Sequence, residues 1–182
     1  MNTRIRRQVI DVTSLPCLLI AIPFLLNAAA TDIAMRMVSN RVCLALGLDG
    51  VAMQTVAHHL SGSLLAMLAV FVPAVICWRH GFMGGGDAKL FAASALLVRP
   101  LEVPFLILAI AIAGGALGLA YWTMMQLLAR RPTTSAVMIR TANPIRRILR
   151  IERYRIGSGF SLPYAVAISL GTLYMFGRGL AA

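Results

Sequence analysis

Acidic residues are scarce in this sequence. Six Asp and Glu stand against 17 Lys and Arg in 182 residues, and all charged residues together make up 13% of the chain. Soluble domains carry about 25% charged residues, so this composition argues against a soluble globular protein. In a chain with so few carboxylates, one that lies at a membrane boundary is a candidate functional group.

Cysteine and histidine are also rare. Cys17, Cys43 and Cys77 lie in or beside apolar stretches with no CxxC spacing. This pattern indicates small buried side chains rather than a disulfide framework or a zinc site. His58 and His59 adjoin a predicted loop, where a metal-binding role is the less favoured alternative. We therefore expect no metal and no cofactor.

Long apolar stretches dominate the rest of the sequence. Hydrophobic residues form 59% of the chain, and the mean hydropathy is +0.82. Several stretches approach the ~20 residues that cross a bilayer as a helix. We predict an all-α polytopic membrane protein with one transmembrane domain in residues 1–182, which begins with an N-terminal tail of residues 1–11. About six helices are expected, over residues 12–31, 42–57, 61–78, 87–98, 103–128 and 161–176. The second is weak because Asp49 interrupts it.

The first apolar stretch has a competing interpretation. Arginines precede it, and the small residues 28–30 could form a cleavage site, as in a secretory signal peptide. We favour a retained helix, because Asp32 and the polar connection after it are better explained beside one.

Arginine is concentrated between the apolar stretches. The basic loop of residues 129–160 contains a predicted amphipathic helix, with isoleucine and leucine on one side and arginine on the other. The arginines of that face are Arg146, Arg147, Arg150 and Arg153. Such a helix lies on anionic phospholipid at a membrane surface; the alternative is a solvated basic loop. Lipid is therefore the expected partner of this charge, and nucleic acid is not.

The distribution of cations predicts the orientation of the chain. Twelve of the 17 Lys and Arg residues fall in the connections after the first, third and fifth predicted helices, if Lys89 at the start of the fourth helix is counted with them. The positive-inside rule places those connections in the cytoplasm and both termini outside. Arg4, Arg6 and Arg7 in the N-terminal tail oppose this orientation. Asp32 and Asp87 would then both lie at the cytoplasmic edge of the membrane.

Two carboxylates stand at predicted helix ends. Gly84, Gly85 and Gly86 lead into Asp87 at the start of the fourth helix, and Asp32 closes the first. If such a pair shares one proton, its ionised member activates water and its protonated member polarises a peptide carbonyl. Helix dipoles would favour Asp87 as the base and Asp32 as the acid. The glycines would permit positive φ and the close approach of a substrate backbone.

Three segments resemble one known family. Residues 81–90, GFMGGGDAKL, are similar to the G-x-G-D signature of type IV prepilin peptidases, including the lysine and leucine after the aspartate. Residues 32–41, DIAMRMVSNR, resemble the family's first site, with its asparagine retained and valine-serine in place of isoleucine-proline. Residues 162–168, LPYAVAI, resemble the start of the last helix in the short branch of the family, which serves Flp/Tad-type pili.

The resemblance implies an intramembrane aspartyl endopeptidase that removes the basic leader from prepilins at the cytoplasmic face of the bacterial inner membrane. Asp32 and Asp87 would be the catalytic pair, and Gly84 and Gly86 the motif glycines. A prepilin would be the substrate, and pilus or secretion assembly proteins are further expected partners. Longer family members methylate the new N-terminus and have a region with paired cysteines, so no methyltransferase domain is expected here.

Lys89 and Asn40 are the remaining motif positions. Lys89 would orient Asp87 or bind a lipid phosphate, or its ammonium group would extend to the membrane interface. Two other classes of function stay open: a small transporter with a carboxylate proton relay, and a noncatalytic secretion-assembly subunit with structural carboxylates. Carboxylates near the membrane midplane would favour the transporter, and carboxylates at one face favour the peptidase.

Overall fold

The computed structural model describes residues 15–129 and 162–181, which form six α-helices, one short 3-10 helix and no strand. The helices are α1 (Leu15–Met35), α2 (Asn40–Val56), α3 (Leu60–Arg79), α4 (Gly85–Leu96), α5 (Val103–Ala129) and α6 (Tyr164–Ala181), and the 3-10 turn is Pro100–Glu102. The all-α prediction is confirmed for these residues. The N-terminal tail and the predicted amphipathic helix, with Arg146, Arg147, Arg150 and Arg153, lie outside the described residues.

Three helices have the length and composition of a membrane span. The candidate spans are Pro16–Met35, Leu60–Arg79 and Pro100–Leu127. At 1.5 Å per residue, a helix of 20 residues reaches about 30 Å, the thickness of the hydrocarbon core. The chain is thus a helical membrane protein, and spans at the positions of α2, α4 and α6 stay a prediction.

Helix α4 lies at the centre of the bundle, where it packs against α2, α3 and α6. Residues 92–98 are buried without interruption, and one apolar core joins the fully buried Leu25, Leu46 and Leu90 from α1, α2 and α4. Helix α1 packs against α2 and α6, and α5 packs against α6. The central position of α4 explains its many small residues, because alanine lets neighbouring helices approach closely.

The short α4 needs partners for its C-terminal carbonyl groups. Its 12 residues extend only about 18 Å, so its end lies among other helices, where water does not satisfy the backbone. The side-chain amide of Gln54, 1% exposed, donates to the carbonyl oxygens of Leu96 at 3.0 Å and Val98 at 2.8 Å. Gly50 permits this close packing, since a Cβ there would lie 2.6 Å from that of Leu96.

Helix α2 continues without interruption through Asp49. The expectation that this residue interrupts or ends the second helix is therefore wrong. The carboxylate is half-buried and interacts with the thiol of Cys17 on α1. An acid is tolerated inside the helix because a polar neighbour on α1 is close to it.

Several helix termini lie close together at one end of the bundle. Gly85 at the start of α4 approaches Trp78 at the end of α3, and Gly86 approaches Val38 in the connection between α1 and α2. At the opposite end, Gly62 of α3 approaches Pro100. Helices α3 and α4 therefore run side by side in opposite directions. We call the end that contains residues 32–41, 78–89 and 162–165 the site end.

Candidate active site

Asp32 lies in the last turn of α1, because the helix continues to Met35. The chain then leaves the helix at Arg36, whose φ of 56° is left-handed and whose N–H donates to the Asp32 carbonyl oxygen at 2.8 Å. Ser39 starts α2 as its N-cap, since its hydroxyl accepts from the N–H of Arg41 at 3.3 Å. Ser39 therefore has a structural role at the position where the family that this segment resembles has proline.

The Asp32 carboxylate is buried and tied to the last helix. Its Oδ2 accepts a hydrogen bond from the N–H of Ala165 at 3.0 Å, and the side chain is 5% exposed. Ala165 is the second residue of α6, where N–H groups have no partner within the helix. A buried carboxylate without a partner is strongly destabilising, so this bond stabilises both groups. The sequence alone did not predict this contact.

Asp87 is the third residue of α4, and Gly84 is the N-cap. The Asp87 carboxylate accepts a hydrogen bond from the backbone N–H of Gly84, as an acid in this position does in a capping box. A Cβ on Gly84 would lie only 2.8 Å from Oδ2 of Asp87. Glycine is therefore required here to leave room for the carboxylate.

The glycine run does not serve left-handed backbone geometry. Gly84 has φ −72°, and the positive φ of this loop belongs to Gly81, at 76°. A Cβ on Gly85 would lie 3.1 Å from the indole nitrogen of Trp78, and one on Gly86 would lie 3.1 Å from Cβ of Val38. The three glycines do not use the positive φ that they would permit, and close packing is the reason for them in this structure.

The structure brings Asp32 and Asp87 together. The two carboxylates interact electrostatically, both are buried, and the guanidinium group of Arg36 interacts with Asp87 as well. Arg36 was not singled out from the sequence. Its spacing of four residues from Asp32 was the available signal, because residues at that spacing are neighbours on a helix.

Lys89 and Asn40 form a hydrogen bond with each other. The Lys89 ammonium group donates to the Asn40 side-chain oxygen at 3.0 Å, and both residues are exposed. This bond links α4 to the first residue of α2. Cys43, one turn into α2, places its sulfur 3.8 Å from the carbonyl oxygen of Gly86. Two side-chain contacts therefore join the starts of α2 and α4.

The arrangement provides two carboxylates with separate donors on different helices. Each accepts from an N–H at a helix start, Asp32 from α6 and Asp87 from the turn before α4. Helix dipoles therefore do not distinguish Asp87 as the base from Asp32 as the acid, because each carboxylate lies near a helix start. Among the described residues, no three His, Cys, Asp or Glu side chains cluster as a metal site. A shared proton and an activated water are the chemistry that such a pair performs.

A family model described as the type IV leader peptidase family matches residues 19–119. The matched region includes Asp32 and Asp87, and it ends before α6. Searches of curated proteins and of solved structures found no significant match.

Proposed function

Because the chain belongs to the type IV leader peptidase family, we propose that it is an aspartic endopeptidase that cleaves the basic leader from Flp-type prepilins. Asp32 and Asp87 are the catalytic pair. The observation that carries this proposal is the meeting of two buried carboxylates, 55 positions apart in the sequence, at one end of the bundle.

The pair hydrolyses a peptide through one shared proton. The ionised carboxylate removes a proton from water, and the resulting nucleophile attacks the scissile carbonyl carbon, whose oxygen accepts a hydrogen bond from the protonated carboxyl group. Collapse of the tetrahedral intermediate breaks the C–N bond and returns a proton to the leaving amine. The N–H groups of Ala165 and Gly84 hold the carboxylates in place throughout.

The position of the carboxylates supports a peptidase over a transporter. Asp32 is three residues before the end of α1, and Asp87 is the third residue of α4. Each thus lies within about 5 Å of a helix terminus. A proton relay requires carboxylates near the midplane, whereas a peptidase that cuts beside a transmembrane segment requires them at the surface.

The arginine-rich connections support placing the site end at the cytoplasmic face of the inner membrane, with both termini outside. The basic segment between α5 and α6 contacts anionic phospholipid, or proteins of the pilus or secretion machinery. The described helices act together as one peptidase domain.

Coexpression with a tagged prepilin tests this function. Asp32→Asn and Asp87→Asn each lower processing by at least about a hundredfold, because one amide cannot replace the carboxyl group that takes or gives a proton. The mobility shift of the prepilin on a gel measures processing, and immunoblots measure enzyme abundance.

Asp49→Asn is the matched control. It also replaces an acid inside a helix, but one that lies away from the pair, so processing should be retained. Normal processing in either Asp32→Asn or Asp87→Asn, with the enzyme at normal abundance, would contradict the proposed pair.

A further inference from the structure

An apolar groove of about 650 Å³ runs along α2, α3 and α4. Its floor is made of small residues, Gly47, Ala92 and Ala93, and its walls include Leu48 and Leu68. Small residues between larger ones are typical of surfaces that receive another helix in a membrane. The groove therefore has the shape and the apolar lining of a binding site for an apolar helix.

We propose that this groove binds the transmembrane helix of the substrate, the apolar segment that follows the scissile peptide. This inference rests on the proposed function, and it names the surface by which that function selects its substrate. Bound there, the helix places the peptide at its end beside the catalytic carboxylates.

The groove extends to the proposed catalytic pair. Asn40 and Lys89 line the groove, and they lie at the site end. Lys89 is two positions after Asp87, and Cys43 of the lining contacts the carbonyl oxygen of Gly86. The lining follows α2 from Asn40 to Val51, about 16 Å or three turns of a bound helix.

The charge of the groove lining also fits the transmembrane helix of a substrate. Lys89 is the one charged residue of the groove lining, and it stands at the end next to the catalytic pair. An ammonium group has three donors, and Asn40 accepts one of them. The matching occupant is apolar along its length and has acceptor oxygens at its site end. A peptide that leaves an apolar helix there offers such acceptors in its backbone carbonyls.

A second groove lacks this continuity. It has a volume of about 490 Å³ and lies between α5 and α6. Its charged residue is Arg178, in the last turn of α6, and α6 begins at the site end. That groove therefore opens toward the other end of the bundle, away from Asp32 and Asp87.

Filling the groove tests the proposal. Gly47→Leu places a large side chain in the groove floor, and the backbone tolerates it because a Cβ there meets nothing within 4 Å. In liposomes with purified prepilin, we expect KM to rise about tenfold with kcat changed less than about twofold.

Gly115→Leu is the matched control. This glycine of α5 also has nothing within 4 Å of a Cβ, and it does not line either groove. KM should be unchanged in this variant. If Gly47→Leu and Gly115→Leu gave the same KM, the groove would not bind substrate, although the two Asp→Asn variants could still be inactive.

Photo-crosslinking identifies the occupant directly. A photoreactive amino acid at Leu48, in an Asp87→Asn enzyme that holds uncleaved substrate, should capture the apolar segment of the prepilin. The same amino acid at Leu119 of α5 should not, although the two leucines are exposed to similar extents, 62% and 61%. Capture of phospholipid alone at Leu48, or equal capture of prepilin at both positions, would overturn the proposal.

Discussion

At the residue scale, the glycines of the central motif are explained by what their missing side chains would touch. Gly84 leaves space for the Asp87 carboxylate, Gly85 for the Trp78 indole and Gly86 for Val38. Each contact involves a different part of the site end. The run of three glycines thus fits one helix start against a carboxylate, a neighbouring helix and a connecting segment at once.

Gly84→Ala should reduce cleavage much more than Gly85→Ala. The alanine Cβ at 84 would lie 2.8 Å from Oδ2 of Asp87 and displace a reacting group, whereas at 85 it meets the end of a side chain at 3.1 Å. A displacement of about 1 Å costs about a hundredfold in rate. Initial rates of prepilin cleavage in liposomes measure the effect.

Thermal unfolding of the purified variants serves as the control for that comparison. Similar unfolding temperatures for Gly84→Ala and Gly85→Ala are expected, since both changes lie at an N-terminal turn. Equal cleavage rates would show that Gly84 has no special relation to the carboxylate.

At the element scale, each helix that carries an aspartate of the proposed catalytic pair depends on a neighbour. Helix α4 carries Asp87 at its start, and Gln54 of α2 satisfies carbonyl groups beyond its last turn. Helix α1 carries Asp32 in its last turn, and the first turn of α6 supplies the donor for that carboxylate. The site therefore results from the way helix ends meet, more than from any single element.

Ala165→Pro should lower kcat by about tenfold to a hundredfold, the range expected when a carboxylate loses one hydrogen bond. Proline is tolerated in a first helical turn, so the change removes the N–H donor and little else. Tyr164→Pro is the matched variant, because it leaves the Ala165 N–H in place.

The comparison of kcat with KM separates the two explanations for a loss of activity. A positioning role for the Ala165 N–H predicts a fall in kcat at nearly constant KM in Ala165→Pro alone. Equal losses in both proline variants would point to disruption of α6 instead.

At the scale of the whole molecule, the sequence predicted the elements well and their junctions poorly. The apolar stretches predicted the positions of the described α-helices to within a few residues, because hydropathy and length indicate where an apolar helix forms. The motifs singled out Asp32 and Asp87, which the structure buries at one end of the bundle, and their catalytic role stays a prediction. Neither signal contains the contacts between distant segments, so the Ala165 donor and the Gln54 amide were missed.

Sequence patterns do not show contacts between distant segments, and this also explains the differences at single residues. Asp49 was expected to interrupt α2 because a lone acid opposes a membrane helix, but the sequence does not reveal that Cys17 of α1 is its neighbour. The glycine run would permit positive φ, but in the structure it serves close packing instead. Tertiary packing determined both outcomes.

The proposed orientation of the molecule in the membrane predicts which loops face the cytoplasm. His58 and His80 are exposed and lie at opposite ends of α3. In a background with the native cysteines replaced by serine, a membrane-impermeant maleimide should label His58→Cys in intact spheroplasts. His80→Cys, at the site end, should be labelled only after permeabilisation.

Retained cleavage of prepilin in both labelled variants is the control for correct insertion. The reverse labelling pattern would place the carboxylate pair on the outer face, and with it the cleavage reaction.

The bond between Asp32 and the first turn of α6 has a consequence for biosynthesis. One carboxylate of the proposed catalytic pair is on the first helix described, and its donor is on the last. While the ribosome is still making the chain, helices α1 to α5 can insert without that donor. In the proposed mechanism, full activity therefore requires the docking of α6, and a chain whose last helix is not yet made cleaves its substrate more slowly than the finished protein.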